Sequence, residues 1–272
     1  MARRMRAGEV ERGSATALIT GGNSGIGRCY ASRLAALGYN LILAGRNEEL
    51  NREVARELEA EHGIKVRTIT IDLARAGAGK ELYDWVTADG TRIRVLINNA
   101  GTFCYNDVLK CDLERLEHIL YLHAMTTMTL CRLFGEQMAA QKEGFILNMA
   151  SYSLWMPWPG LATYSASKSF IRAFSMAFAK EVRECGVKVT AVSPAGVATD
   201  LYGLPHDWQR FGMRIGVLLS ADSCARRALK ALWRGRRSTV PGWWNRLGIP
   251  FTLYLPMWVL KIARKYTLPF QK

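Results

Sequence analysis

The stretch TGGNSGIG, residues 20–27, decides the fold. It continues TALIT (16–20), a short β-branched run that reads as a strand, and it opens a helical period that lasts to about Leu37. Between strand and helix each glycine has its own use. Gly21 allows the tight turn, Gly25 lets the backbone approach a pyrophosphate, and Gly27 permits close helix–strand contact. Asn23, Ser24 and Ile26 complete the loop as candidate ligands of the same group. The helix N-terminus then turns its partial positive charge toward phosphate oxygens. Glycine spacing alone is weak evidence, and the strand–turn–helix context is what points to a dinucleotide.

Working outward, NLILAG (40–45) is a second strand, and NEELNREVARELEAEHG a charged amphipathic helix that closes at Gly63. KVRTITID (65–72) is a third strand, followed by a helix over 79–88 and a fourth strand in IRVLINNAG. A long helix over 113–141, a strand in GFILNMAS, a helix to about Glu184, a strand in VKVTAVSPAG and a helix over 221–234 continue the rhythm. Short β-branched runs alternating with longer helical periods predict an α/β domain of parallel strands and crossover helices. No repeat or linker interrupts it. The division is a frayed basic end (1–13), one main domain (14–240) and an apolar, basic extension of it (241–272).

At 272 residues, 49% hydrophobic and 22% charged, the composition is that of a soluble globular protein. A formal charge of +14 admits nucleic acid, anionic membrane or acidic small molecules as partners, or a merely solubilising surface. With the cations read as dispersed and no recognition motif present, nucleic acid is disfavoured. No run approaches the ~20 apolar residues of a transmembrane helix, and MARRMRAGEVER lacks the apolar core of a signal peptide. Six cysteines without a Cys-x-x-Cys pair and four scattered histidines predict neither disulfide framework nor metal site, and a cytoplasmic location.

Open α/β sheets bind ligands beyond the carboxyl ends of their strands. The second strand ends in Ala44-Gly45-Arg46, with an arginine where an NAD site often places an acid. A guanidinium fork suits a 2′-phosphate, which favours NADP, the bland alternative being a solvated arginine. Asp72 is placed to accept from the adenine amino group, with Leu73 beside it. Asn99 and Gly101 fall on the cofactor side of the fourth strand's end, and Asn98 reads as partly structural. LATYSASKSF (161–170) sets Tyr164 four residues before Lys168, on one helical face. A free phenol has a pKa of about 10, and a neighbouring ammonium favours its ionised form, toward the range where acid–base catalysis operates. Such a pair also arises by chance on surfaces. Ser151, just past the fifth strand, lands at the same rim.

The ordered set TGGNSGIG, NNAG, Ser151, YSASK and SPAGVAT, spread over about residues 14–240, resembles the short-chain dehydrogenase/reductase family, and within it hydroxysteroid dehydrogenase-type members. The resemblance implies a single doubly wound Rossmann-type domain with a seven-stranded parallel sheet, transferring hydride between NADP(H) and an alcohol or ketone. It implies Tyr164 as acid/base, Lys168 lowering its pKa and holding the nicotinamide ribose, and Ser151 polarising the substrate oxygen. Val197 and Thr199 would hold the carboxamide and phosphate end of the cofactor. Where the family carries an asparagine, 28 residues before the serine, this chain has His123. A proton-relay role is expected there, with an impaired site as the alternative; a non-catalytic NADP-binding interaction protein is the rival of a different class.

Residues 199–220 match the family's variable substrate loop and contribute Tyr202 and Trp208, while SLWMPWPG (153–160) contributes Ser153 and Trp155. Their rings suit a bulky apolar substrate, a hydroxysteroid or bile acid first and a fatty-acyl or other lipid ketone second. They serve equally as core or as the contact of a homo-oligomer, dimer or tetramer. The apolar, basic tail is expected to lie on an anionic membrane, cover a second subunit or close over the substrate.

Overall fold

The computed structural model describes residues 8–256 and 258–259, with backbone alone at Tyr202, Trp243, Trp244 and Arg246. In chain order the elements are β1 (Thr16–Thr20), α1 (Gly25–Ala36), β2 (Asn40–Gly45), α2 (Glu48–His62), β3 (Val66–Thr70), α3 (Ala78–Thr87) and β4 (Ile93–Asn98). Then come α4 (Leu113–Leu120), a π turn (Tyr121–Met125), α5 (Thr126–Ala140), β5 (Gly144–Met149), α6 (Ala162–Glu181) and β6 (Val187–Val192). The remainder is β7 (Val197–Ala198), α7 (His206–Arg214), β8 (Leu219–Ser220), α8 (Ala221–Trp233), β9 (Ser238–Thr239) and α9 (Trp243–Leu253).

Seven strands form one parallel sheet in the order β3-β2-β1-β4-β5-β6-β9, while β7 and β8 pair separately. The order reverses between β1 and β4, and that reversal opens a crevice above the glycine turn. β1, β2 and β4–β6 are near-continuous apolar runs because helices cover both faces of the sheet. On one side Tyr30, Leu34, Val54 and Leu232 pack beneath it, and on the other Leu82, Val86, Leu130 and Phe134. Helix ends follow local chemistry: Asn47 caps α2 by accepting from the Leu50 N–H, and Gly63 closes it in the left-handed conformation.

Three features differ from the sequence reading. The N-terminal segment does not fray from residue 8 onward, because Val10 is buried and its N–H donates to the Leu37 carbonyl. The long helix contains a π turn centred on His123, which a helical period cannot reveal. The seventh strand, β9, is two residues long and carries no periodic signal; α7 and α9 lie where only loop and extension were read. The extension beyond residue 259 lies outside the described residues.

Candidate active site

The crevice has two parts that meet at Gly21, Ser24, Ala100, Gly101 and Thr102. One, about 440 Å³, is lined by Asn23, Arg46, Asp72 and Leu73. The other, about 310 Å³, is lined by Gly25, Ile26, Asn99, Ser151, Tyr164, Lys168, Val197 and Thr199. Of the residues expected to hold the cofactor, Gly27 alone stands behind the wall. There it is buried, and a Cβ would collide with the Gly21 carbonyl oxygen.

The glycine turn is fixed from beneath. The Asn99 side chain donates to the carbonyls of Thr20 and Gly21, each at 3.1 Å, and the Thr20 hydroxyl accepts from the N–H groups of Asn99 and Ala100. Asn23 donates to Asn51 at 2.7 Å. Asn98, read as partly structural, donates to Asn148 at 2.8 Å. Gly21 (φ 62°) and Gly25 (φ 50°) occupy the left-handed region. Ser24, the N-cap of α1, makes no side-chain capping bond, and the first turn holds no acid. Its N–H groups therefore stay open to an anion, which fits a pyrophosphate. Arg46 is exposed and makes no ion pair among the described residues, and Arg115 and His118 from α4 face the same part of the crevice.

Lys168 is buried, donates to the Met149 carbonyl at 3.0 Å and stands 5.7 Å from the Tyr164 ring centroid. Burial pulls its ammonium down to about 7. The Tyr164 ring is held edge-to-face between Phe103 (5.1 Å) and His123 (5.7 Å). Ser151 accepts from the Ser153 N–H at 3.1 Å, leaving its own proton free to donate into the cavity.

His123 sits behind this group. Its Nε2 accepts from the Thr102 N–H at 3.2 Å, and its Nδ1 lies 2.9 Å from the Ser167 hydroxyl, which itself donates to the Tyr164 carbonyl. These partners select the neutral tautomer with the proton on Nδ1. Burial, with the Lys168 charge second, holds its pKa well below 6.5. A relay here would pass a proton through a neutral imidazole rather than by titrating near neutrality. The imidazole braces the loop at Thr102 and the first turn of α6.

The substrate residues divide. Ser151, Tyr164 and Leu201 line the cavity, whereas Trp155 packs on Tyr152 and beneath the Arg172 guanidinium, and Trp208 is 64% exposed on α7. Ser153 is buried with its hydroxyl unpartnered, and the side chain of Tyr202 lies outside the described residues. Phe103, Thr102, Ser167 and Arg115 went unread in the sequence. Phe103, Thr102 and Ser167 lay beside NNAG or the Tyr/Lys pair, and Arg115 had no such signal.

Fold and crevice together define a dinucleotide-binding α/β domain carrying a Ser/Tyr/Lys group at its switch point. The short chain dehydrogenase family model matches residues 15–209, and the chain belongs to that family. It is 36% identical over 179 residues to a very-long-chain 3-oxoacyl-CoA reductase of Pyricularia oryzae, a match covering 65% of this chain but only 54% of that protein. It is 31% identical over 254 residues to a 17-beta-hydroxysteroid dehydrogenase type 3 of Danio rerio, covering 90% of this chain and 78% of the other. A short-chain dehydrogenase from Sphingobium yanoikuyae in complex with NADPH superimposes with a TM-score of 0.76 at 27% identity, over 94% of this chain and 95% of that one.

Proposed function

We propose that this protein is an NADP(H)-dependent oxidoreductase that interconverts a ketone and a secondary alcohol on a bulky apolar substrate. The observation that carries the reading is the meeting of Ser151, Tyr164 and Lys168 at the wall of one cavity that continues into the glycine turn. The open N-terminus of α1 holds the pyrophosphate, and Arg46, with Arg115 nearby, holds the 2′-phosphate. When bound, NADPH supplies the hydride. Tyr164 gives its phenolic proton to the oxygen of the carbonyl undergoing reduction. Ser151 donates a hydrogen bond to that oxygen as negative charge develops on it. Lys168 would hold the nicotinamide ribose and, when protonated, set a positive charge beside the phenol.

The substrate reading rests on relatives and on the apolar loop. The Danio rerio relative supports a hydroxysteroid, and the Pyricularia oryzae relative supports a 3-oxoacyl thioester as the second reading. Homo-oligomerisation belongs to the same proposal, through the stacked Phe170, Phe174 and Phe178 on α6. The test is NADPH oxidation with oxidised steroids, long-chain 3-oxoacyl thioesters and small polar ketones side by side. Turnover is expected on the first two groups. Binding of NADPH without turnover of any ketone would leave an interaction protein in its place.

A further inference from the structure

The positive charge of this chain is concentrated at one end. Residues 223–272 hold 11 of the 37 basic side chains and none of the 23 acidic ones, so the preceding 222 residues are close to balance at 26 against 23. The fold gathers part of this excess into a crevice of about 240 Å³ between α8 and the edge strand β9, lined by Arg227, Lys230, Arg234 and Arg236. None of the four makes an ion pair among the described residues. Pro241 and Gly242 complete the wall, and Gly242 is the N-cap of α9, so the crevice opens at the root of that helix.

Helix α9 has one seated side and one bare one. At Gly248 it comes so near the Tyr152 hydroxyl that a Cβ would lie 2.9 Å from it. Elsewhere it exposes Leu247 (56%), Phe251 (76%) and Leu253 (43%), and the chain beyond adds Tyr254 (83%) and Trp258 (66%). Large apolar groups this exposed, beside an uncompensated cationic crevice, mark an interaction surface.

We infer that α9 and the Arg227–Arg236 crevice together form a docking surface for an anionic lipid bilayer. Apolar side chains enter the boundary between headgroups and acyl chains, while the arginines and lysine meet lipid phosphates. Charge decides among occupants. A second copy placed symmetrically here would set this cationic end against itself. A soluble polyanion would satisfy the crevice and leave Phe251 and Trp258 in water. The proposal stands apart from the catalytic reading, since none of these residues lines the active-site crevice.

The experiment is flotation of the full chain with vesicles of phosphatidylcholine alone or mixed with phosphatidylglycerol. The chain is expected to float with the anionic vesicles only, and to be released as salt rises. Exchanging Arg227, Arg234 and Arg236 together for Gln, or Leu247 and Phe251 together for Ser, is expected to weaken binding about tenfold or more. NADPH affinity in each variant is expected to stay at the parent value, which certifies folding. Equal flotation with neutral vesicles, or retention by both variants, overturns the proposal. So does displacement by inorganic phosphate at matched ionic strength, which marks a small-anion site. Failure to float, with self-association that the Ser variant abolishes, assigns the surface to a second copy.

Discussion

The glycine turn at 20–27 and the loop at 199–220, whose Thr199, Asp200 and Leu201 line the same cavity, are held by different means. The turn is fastened by backbone and buried side chains: Asn99, Thr20 and the Asn23–Asn51 pair leave it one conformation. The loop hangs from the two-residue pairing of β7 with β8, and Trp208, Phe211, Ile215 and Val217 are all more than half exposed. A pyrophosphate held at a helix N-terminus needs backbone N–H groups fixed in position, whereas apolar groups are recognised by area, which many side chains supply. The first side is therefore built in advance, and the second is finished by whatever it binds.

If the built side performs the chemistry, Tyr164→Phe gives the largest loss. Turnover should fall by roughly 10²–10⁴-fold with NADPH affinity retained. Near-normal turnover in that variant would mean that another group donates the proton. Arg46→Asp comes next. Loss of a charge-assisted hydrogen bond and addition of a repelling carboxylate should cost at least about 10- to 100-fold in kcat/KM with NADPH while sparing NADH. An unchanged ratio between the two cofactors removes Arg46 from the site.

Preorganisation also has a stability signature. The pKa of Lys168 is about 7 in the folded chain against roughly 10.4 in an unfolded one, so the unfolded state holds the extra proton across that window. Native stability therefore rises with pH between these values. Lys168→Met should stabilise the cofactor-free protein by roughly 2 kcal/mol near pH 7, net of the hydrogen bond lost at Met149, while abolishing turnover. Chemical denaturation should show that gain shrinking toward pH 10; a gap that widens instead would mean that burial does not lower the pKa of Lys168.

Effects on the unfinished side should be smaller. Trp208→Ala is expected to raise KM for a steroid or long acyl ketone by about tenfold or less and to leave a small ketone unaffected. Equal effects on both would show that the ring supports the fold rather than the substrate. The smallest expected change is none at all. The imidazole resonances of His123 should stay flat across the range around 6.5, where an exposed histidine titrates. A midpoint there would mean that burial does not hold the imidazole neutral.

The same contrast explains what the sequence revealed. Strand–turn–helix punctuation and the Tyr164/Lys168 spacing are local patterns, so six of the seven sheet strands and most of the cofactor wall could be read directly. β9 is too short to carry a period, and its place beside β6 is a long-range fact. The Phe103–Tyr164–His123 stack joins three distant segments and leaves no local trace. At Arg227–Arg236 the helical spacing of Arg227, Lys230 and Arg234 was legible, whereas Arg236 and the crevice wall join them only when α8 folds against the sheet edge.

The π turn at Tyr121–Met125 has one more consequence. Counted along the axis, it is a residue of surplus inside an otherwise regular helix, and each residue turns an α-helix by about 100°. The surplus sets the phase between α4 and α5, so Ile119 and Thr126 are buried against parts of the molecule that an unbroken helix would not reach together. Removing any one residue from 121–125 would straighten the rod and rotate everything before it by more than a quarter turn. Arg115 and His118 would then swing away from the crevice they now face. At this point in the chain the number of residues is itself a functional parameter, as much as their identity.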